Sequence, residues 1–138
     1  MGRKRGCAAE MRNGMNQKER MLAGLPYKAW LDGLSEERRE KKKRIYRYNS
    51  LSPEQGEEQA ALIKEIIGKC GENIWIETPF HCDYGWNIEV GENFFANYNL
   101  TILDVGKVVI GKNAQIAPNV SIYTAGHPVH PDSRNTGY

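Results

Sequence analysis

The sequence predicts a mainly β protein with N-terminal helices, in which the β part is a solenoid of short strands. Two observations predict this class. A motif of an aliphatic residue, Gly or Ala, any residue and then Asn recurs in the second half of the chain. The first half instead has the periodicity and the capping residues of amphipathic helices. The 138 residues are enough for one domain with a sizeable core.

The repeated motif begins at Val90, Ile110 and Ile116. Aliphatic or small residues recur at six-residue intervals, at positions 90, 96 and 102 and, after a two-residue insertion at 105–107, at 110, 116 and 122. Three hexapeptides make one triangular coil, in which the aliphatic residue points inward and Gly or Asn occupies the corners. The alternative is a β-sandwich with regularly spaced turns. The repeated G-x-N tripeptide favours the solenoid, because it indicates corners of one recurring geometry.

Two helices are predicted before the repeat. The first begins near Ser35, an N-cap candidate that two glutamates follow, and runs to about Tyr48 with Ile45 on the same face. The second begins at Ser52, since Pro53 and Gln55 complete the spacing of a capping box. Its apolar stripe consists of Leu62, Ile63, Ile66 and Ile67. Both helices are interpreted as packing elements.

Composition excludes several classes of protein. The net charge of +2 is too small to indicate a nucleic-acid partner, and the basic run at 38–44 is interpreted as the solvated face of a helix. No apolar run approaches the ~18 residues of a membrane span, so no membrane partner is expected. Cys7, Cys70 and Cys82 are odd in number and widely spaced, which favours reduced thiols in a cytoplasmic protein.

Several short segments together resemble one family. They are MLAGLPY at 21–27, RYN at 47–49, CDYGWN at 82–87, NFFANYN at 93–99, LDV at 103–105, IGKNAQIAPNV at 110–120 and YTAGHPV at 123–129. In this order and spacing they resemble the maltose and galactoside O-acetyltransferases of the hexapeptide-repeat acyltransferases. The resemblance covers about residues 15–138. It implies a left-handed parallel β-helix, a handedness that the spacing itself does not predict.

The resemblance also implies an activity, the transfer of an acetyl group from acetyl-CoA to a sugar hydroxyl. The histidine of the G-H-P-V motif, here His127, would be the general base. Histidine suits this role because the imidazole is basic and largely neutral near neutral pH. The family transfers the acetyl group directly, so no nucleophilic Ser or Cys is required. Its members are expected to be homotrimers with sites between subunits.

Three residues are predicted to bind the acceptor sugar on the same grounds: Asp83 in C-D-Y-G, Asn97 in A-N-Y-N and, as a weaker candidate, Asp104 in L-D-V. For Asn97 the alternative is a corner of the solenoid, where Asn tolerates left-handed backbone. The chain departs from the family at one acceptor position. Galactoside relatives have an aspartate where this chain has Ala29, and Asp32 lies three residues further on. Which sugar is preferred is therefore left open.

His127-x-x-His130-x-Asp132 can also be written as a metal site, but it lacks a fourth ligand at a recognised zinc spacing. No metal is expected, and His130 is interpreted as a surface or loop-packing residue.

The organisation that follows is an extension at 1–20 that is expected to be disordered, a helical region at 21–70 and a partial β-helix with the catalytic loop at 71–138. Family members continue for about a further third of their length, and that part carries most contacts to CoA. The donor-binding residues are therefore expected beyond Tyr138, and the β-helix is expected to be incomplete at its C-terminus. The sequence leaves open whether these 138 residues are active on their own. The alternative is a non-catalytic solenoid that binds sugar or serves assembly.

Overall fold

A computed structural model describes residues 14–138. The helices are α1 (Gln17–Leu22), α2 (Leu34–Asn49), α3 (Gly56–Ile66) and α4 (Pro131–Asn135). The strands are β1 (Lys69–Cys70), β2 (Trp75–Ile76), β3 (Phe80–Cys82), β4 (Ile88–Val90), β5 (Phe95–Ala96), β6 (Leu100–Leu103), β7 (Val108–Ile110), β8 (Gln115–Ile116) and β9 (Ser121–Tyr123). Over this range no helix is long and apolar enough to span a membrane.

The chain forms two compact units. One contains the described residues up to Ser35 together with His127–Tyr138, and the other is Glu36–Gly126. The second unit holds every strand found in residues 14–138, and the first holds the end of the loop that carries His127.

The nine strands form three parallel sheets of three strands each, in the orders β1-β4-β7, β2-β5-β8 and β3-β6-β9. Each strand pairs with the strand one coil further on, and the register is constant: Lys69 pairs with Glu89, Phe80 with Leu100 and Ile88 with Val108. One coil is therefore 20 residues, three hexapeptides and the predicted two-residue insertion. The predicted solenoid is confirmed, and the sandwich alternative is wrong because every pairing is parallel.

The structure adds a coil that the repeat analysis missed. It begins at Cys70, and Gly71, Glu72 and Asn73 then follow the same motif as the later coils. The signal was present, but a cysteine occupies the position where the pattern requires an aliphatic residue. Cys70, Val90 and Ile110 are in register across the first sheet, so the thiol takes the place of an aliphatic side chain.

The inward side chains of successive coils form one apolar core. The aliphatic position of the repeat is buried at Ile76, Val90, Ala96 and Ile102, which are at most 4% exposed, and is half-buried in the last coil, at 110, 116 and 122. Alternate positions, such as His81 and Val109, face outward. The hydrophobic effect therefore acts on one face of each strand, and backbone hydrogen bonds join the coils along the solenoid axis.

Asparagine occupies one corner in all three coils and a second corner in the last two coils. Asn73, Asn93 and Asn113 have φ between 56° and 61°, and Asn99 and Asn119 have φ of 65° and 60°. Asn tolerates this left-handed backbone better than most residues do. The side chains also form ladders between coils: Asn73 Nδ2 donates to Asn93 Oδ1 at 2.9 Å, and Asn93 Nδ2 donates to Asn113 Oδ1 at 3.0 Å.

Helices α2 and α3 provide partners for the first coil. Asn49 Oδ1 accepts from the Phe80 amide and Asn49 Nδ2 donates to the Phe80 carbonyl, both at 2.9 Å, so this side chain binds a strand edge as a peptide unit would. Tyr48 Oη and Gln59 Nε2 both donate to the carbonyl of Ile76. An exposed strand edge is a template for association, and these side chains occupy part of it.

The helix faces were predicted correctly, but the helix starts were not. Ile45 and Tyr48 of α2 are buried, as are all four members of the α3 stripe. Ser35 is not the N-cap of α2, because the helix begins one residue earlier. Helix α3 begins four residues after Ser52. Gln55 Oε1 does accept from the Ser52 amide at 2.8 Å, but the segment is a separate turn in front of the helix.

The predicted disorder of 1–20 is wrong for its last residues, which belong to α1; residues 1–13 lie outside the described range. Asn16 and Glu19 form a complete capping box, in which each side chain accepts from the other's amide. The Asn-x-x-Glu spacing is the signal that would have predicted this helix.

The corner geometry leads to a prediction for stability. Asn93→Ala should lower the free energy of unfolding by about 2 kcal/mol, since it places a Cβ-bearing residue without Asn's local hydrogen bonding in left-handed backbone and removes two ladder bonds. Asn93→Gly should cost about half of that, because glycine has no steric penalty there. Urea denaturation measures both values. Asn97→Ala, in the same coil with ordinary backbone, is the control. A glycine variant as unstable as the alanine variant would contradict this account.

Candidate active site

The loop that carries His127 leaves the solenoid at the end of β9, where Thr124 binds it to the preceding coil. The Thr124 amide and hydroxyl donate to the Leu103 carbonyl at 3.1 and 2.6 Å, and the hydroxyl accepts from the Gly106 amide at 2.8 Å. Sequence analysis missed this residue. Because these three bonds fix the last residue of the coil, the loop begins from a defined position.

The imidazole of His127 is exposed, and its Nδ1 lies 3.4 Å from the backbone oxygen of Tyr138, at the long end of hydrogen-bonding distance. If Nδ1 donates to this carbonyl, Nε2 is the ring nitrogen that holds the lone pair. Among the described residues Nε2 has no hydrogen-bond partner, so it is available to a substrate hydroxyl.

His130 has a local structural contact. Its side chain caps α4 by accepting from the Asp132 amide at 3.3 Å, and Nδ1 is 3.8 Å from the Asp132 carboxylate. This agrees with its interpretation as a loop-packing residue. Within residues 14–138 no three His, Cys, Asp or Glu side chains form a group that could hold a metal ion.

Asp83 directly follows β3, and its carboxylate is half-buried without a hydrogen-bond partner among the described residues. Burial raises the pKa of this carboxyl group, and the nearby charges of Arg38 and Lys42 lower it in part. An acceptor with unused lone pairs beside two cations is able to accept a hydrogen bond from a sugar hydroxyl.

The basic run at 38–44 is not the fully solvated face that the sequence predicted. Lys41 is 8% exposed, and its Nζ donates to the carbonyls of Ile66 and Glu65 at the C-terminal end of α3. Burial lowers its pKa. Arg38 Nη1 donates to Tyr84 Oη at 2.6 Å, with the guanidinium carbon 5.7 Å from the ring centroid. Helix α2 is thus joined to the turn that begins at Asp83.

That turn is fixed at further points. Gly85 has φ of +76°, and a Cβ there would overlap the Ile66 carbonyl oxygen, so glycine is required on both grounds. The Gly85 carbonyl accepts from the amides of Gly68 and Ile88 at 2.9 and 3.0 Å. Trp86 Nε1 donates to Glu37 at 3.1 Å. The residues that flank Asp83 are therefore rigidly placed.

Asp104 lies inside the solenoid at 0% exposure, which does not fit the predicted direct contact with a sugar. Its Oδ1 accepts from the amides of Asp83 and Tyr84 at 3.0 and 2.9 Å. Burial raises the pKa of this carboxyl group, and the backbone hydrogen bonds, first that of Tyr84, lower it in part. Asp104 continues the inward series of Leu100 and Ile102 past the end of β6, so the two-residue alternation was the signal that could have predicted its burial.

Asn97 is not one of the left-handed corners, so the structural alternative raised for it is wrong. It follows the inward-facing Ala96 and is half-buried. Its Oδ1 accepts from the Tyr98 amide at 2.8 Å, and its Nδ2 has no partner among the described residues. The side chain therefore has two donors left for a ligand.

Asp32 has a local structural contact. Its Oδ2 accepts from the Gln17 amide at 2.7 Å, at the start of α1. The neighbouring Lys28 amide donates to Gln17 Oε1 at 2.6 Å, and Trp30 is 52% exposed.

The structure brings Asp83 and Asp104 into one hydrogen-bonded network. Asn97 directly follows β5 of the second sheet and is separated from β6 by a corner, and His127 belongs to the other compact unit.

Comparisons with known proteins identify the family. Residues 20–71 match the maltose acetyltransferase hexapeptide capping motif. The galactoside O-acetyltransferase of Escherichia coli is 44% identical over 123 residues, which are 89% of this chain and 61% of the relative. The structure of a maltose O-acetyltransferase from Clostridium difficile is 44% identical with a TM-score of 0.88, and the match covers 91% of this chain and 67% of that one.

A galactoside acetyltransferase solved in complex with coenzyme A is also 44% identical, with a TM-score of 0.87, over 90% of this chain and 62% of that one. The chain thus spans 61% of the length of the first curated relatives it matches. These neighbours are left-handed β-helices, and the fold described above is the same. The chain belongs to the maltose and galactoside O-acetyltransferase family of hexapeptide-repeat acetyltransferases.

Proposed function

We propose that this protein transfers an acetyl group from acetyl-CoA to a hydroxyl of a maltose-, glucose- or galactoside-type sugar, with His127 as the general base. The observation that carries the proposal is the exposed imidazole of His127, whose Nε2 has no hydrogen-bond partner among the described residues. The family membership supplies the reaction class.

In the proposed reaction, His127 Nε2 removes the proton of the sugar hydroxyl as the oxygen attacks the thioester carbonyl. The C–S bond then breaks, and the CoA sulfur leaves with the proton that His127 returns. The histidine ends in its initial state, so no acyl-enzyme and no further co-reactant are needed. Asp83 and Asn97 are proposed to bind acceptor hydroxyls, one as an acceptor and the other as a donor.

The positions of these two residues support a site between subunits. Asp83 follows Cys82, which pairs with Ile102, whereas Asn97 precedes Leu100, at the opposite end of the strand. The strand and the corner between them span roughly 10 Å or more at about 3.3 Å per residue. A single sugar ring is shorter than this separation. We therefore propose a homotrimer in which Asp83 of one copy and Asn97 of another bind the same acceptor.

Two free cysteines among the described residues, Cys70 and Cys82, support a cytoplasmic location, where thiols stay reduced. We also retain, as a proposal, the division into a helical region at 21–70 and a β-helix at 71–138. The residues that bind CoA are not assigned within this chain.

The first prediction concerns the base. With acetyl-CoA and maltose, His127→Ala should lower sugar-dependent CoA release by about 10²- to 10⁴-fold, the usual contribution of general acid–base catalysis. Release is followed with a thiol reagent. His130→Ala, in the same loop, is the matched control and should retain activity.

Full activity of His127→Ala would contradict the proposed role. If the folded wild type binds sugar and releases no CoA, the chain acts instead as a sugar-binding solenoid module.

The second prediction concerns pH. Sugar binding through Asp83 requires the carboxylate form. Since burial raises its pKa, affinity for maltose should begin to fall, as pH decreases, at a higher pH than an ordinary aspartate would give. Asp83→Asn should bind about tenfold more weakly at pH 7.5, a cost typical of a lost charged hydrogen bond, and should lack this part of the pH dependence. Calorimetric titration between pH 5 and 8 measures both. Parallel curves for the two proteins would exclude Asp83 as the titrating contact.

A further inference from the structure

The Asp104 carboxylate lies in the interior of the solenoid, where a charged group is energetically unfavourable. It is fully buried, and Oδ2 has no hydrogen-bond partner among the described residues. Burying a carboxylate with one oxygen unsatisfied costs free energy that a neutral side chain would not cost. Stability by itself does not explain the choice of aspartate here.

The other oxygen, Oδ1, accepts hydrogen bonds from two successive backbone amides. The parallel pairing of β3 with β6 ends at Cys82 and Ile102. Beyond it, the amides of Asp83 and Tyr84 donate to Asp104 Oδ1 at 3.0 and 2.9 Å. The carboxylate therefore continues the contact between coils for two residues past the end of the strands.

The same turn is bound on its other sides. Asn87 Nδ2 donates to the Asp104 and Val105 carbonyls at 2.8 and 3.2 Å, and Arg38 binds the Tyr84 hydroxyl. Asp83 provides the carboxylate of this turn, and that carboxylate has no hydrogen-bond partner among the described residues. Asp104 thus holds the backbone from which a candidate ligand group projects.

We propose that Asp104 is a positioning residue for the acceptor: by holding the amides of Asp83 and Tyr84 it fixes the direction in which the Asp83 carboxylate meets the sugar. This replaces the direct contact that the sequence predicted. The inference depends on the proposed function, since it assigns Asp104 a part in sugar binding. A fixed carboxylate loses less entropy on binding than a mobile one, so Asp104 contributes to affinity without touching the ligand.

The test compares Asp104→Ala, Asp104→Asn and the wild type, first with maltose varied at saturating acetyl-CoA and then with acetyl-CoA varied at saturating maltose. Asp104→Ala leaves both amides without their acceptor, so the KM for maltose should rise about tenfold, with kcat changed by less than about threefold and the KM for acetyl-CoA unchanged. Asp104→Asn retains an oxygen at the Oδ1 position and should restore the KM to within about threefold of the wild type.

Gln59→Ala is the matched control for a purely structural effect. Gln59 is also a buried polar residue, and its Nε2 donates to the Ile76 carbonyl, away from the Asp83 turn. This variant should lose stability and retain the KM for maltose. The NMR chemical shifts of the Asp83 and Tyr84 amide protons should change in Asp104→Ala and remain unchanged in Gln59→Ala. This measurement does not depend on enzymatic activity.

Three results would overturn the inference while leaving the proposed function intact. They are an unchanged KM in Asp104→Ala, an equal KM increase in Gln59→Ala, and an Asp104→Asn variant as poor as Asp104→Ala. If the wild type binds maltose without releasing CoA, the tenfold loss is required in the Kd for maltose instead, and only the catalytic proposal fails. A folded wild type that binds no sugar overturns the proposed function, and this inference with it.

Discussion

The rest of the structure depends on the parallel hydrogen bonding of one coil to the next in a constant register of 20 residues. Each strand has only two to four residues, too few to be stable in isolation. Stacking joins them along three sheets and places equivalent side chains above one another. The aliphatic core, the asparagine ladders and the position of each candidate ligand group all follow from that register.

The helical region has a physical role in this arrangement. A solenoid exposes unpaired backbone groups at its first coil, and water or another chain will bind them unless the protein does. Asn49, Tyr48 and Gln59 bind the Phe80 and Ile76 peptide groups from α2 and α3. Arg38 extends this contact to the turn after β3 by binding the Tyr84 hydroxyl, and Lys41 joins α2 to the end of α3. The helix that covers the first coil therefore also supports the turn that carries Asp83.

Much of this could be predicted from the sequence, because the strongest signals are periodic. The six-residue period predicted the coils, and the Asn corners followed from the tolerance of that residue for left-handed backbone. The polar side chains were harder to predict. Asp83, Asp104 and Asn97 are similar polar residues, but Asp104 continues the inward face of its strand and is enclosed, whereas Asp83 and Asn97 each follow an inward residue and are half-buried. Lys41 was misjudged for a related reason: in a run of basic residues, one helical position faces the protein and the others face water.

The bidentate contact between Asn49 and Phe80 has a consequence for the state of association. A parallel solenoid has a direction, and the unpaired backbone groups of an uncovered first coil can pair with the last coil of another copy. Copies could therefore add to it without limit. The side chain of Asn49 imitates the peptide group that such a neighbour would offer, and it does so from a helix, which offers no further edge. One amide side chain therefore helps to make this end of the protein a terminus rather than the growing end of a fibre.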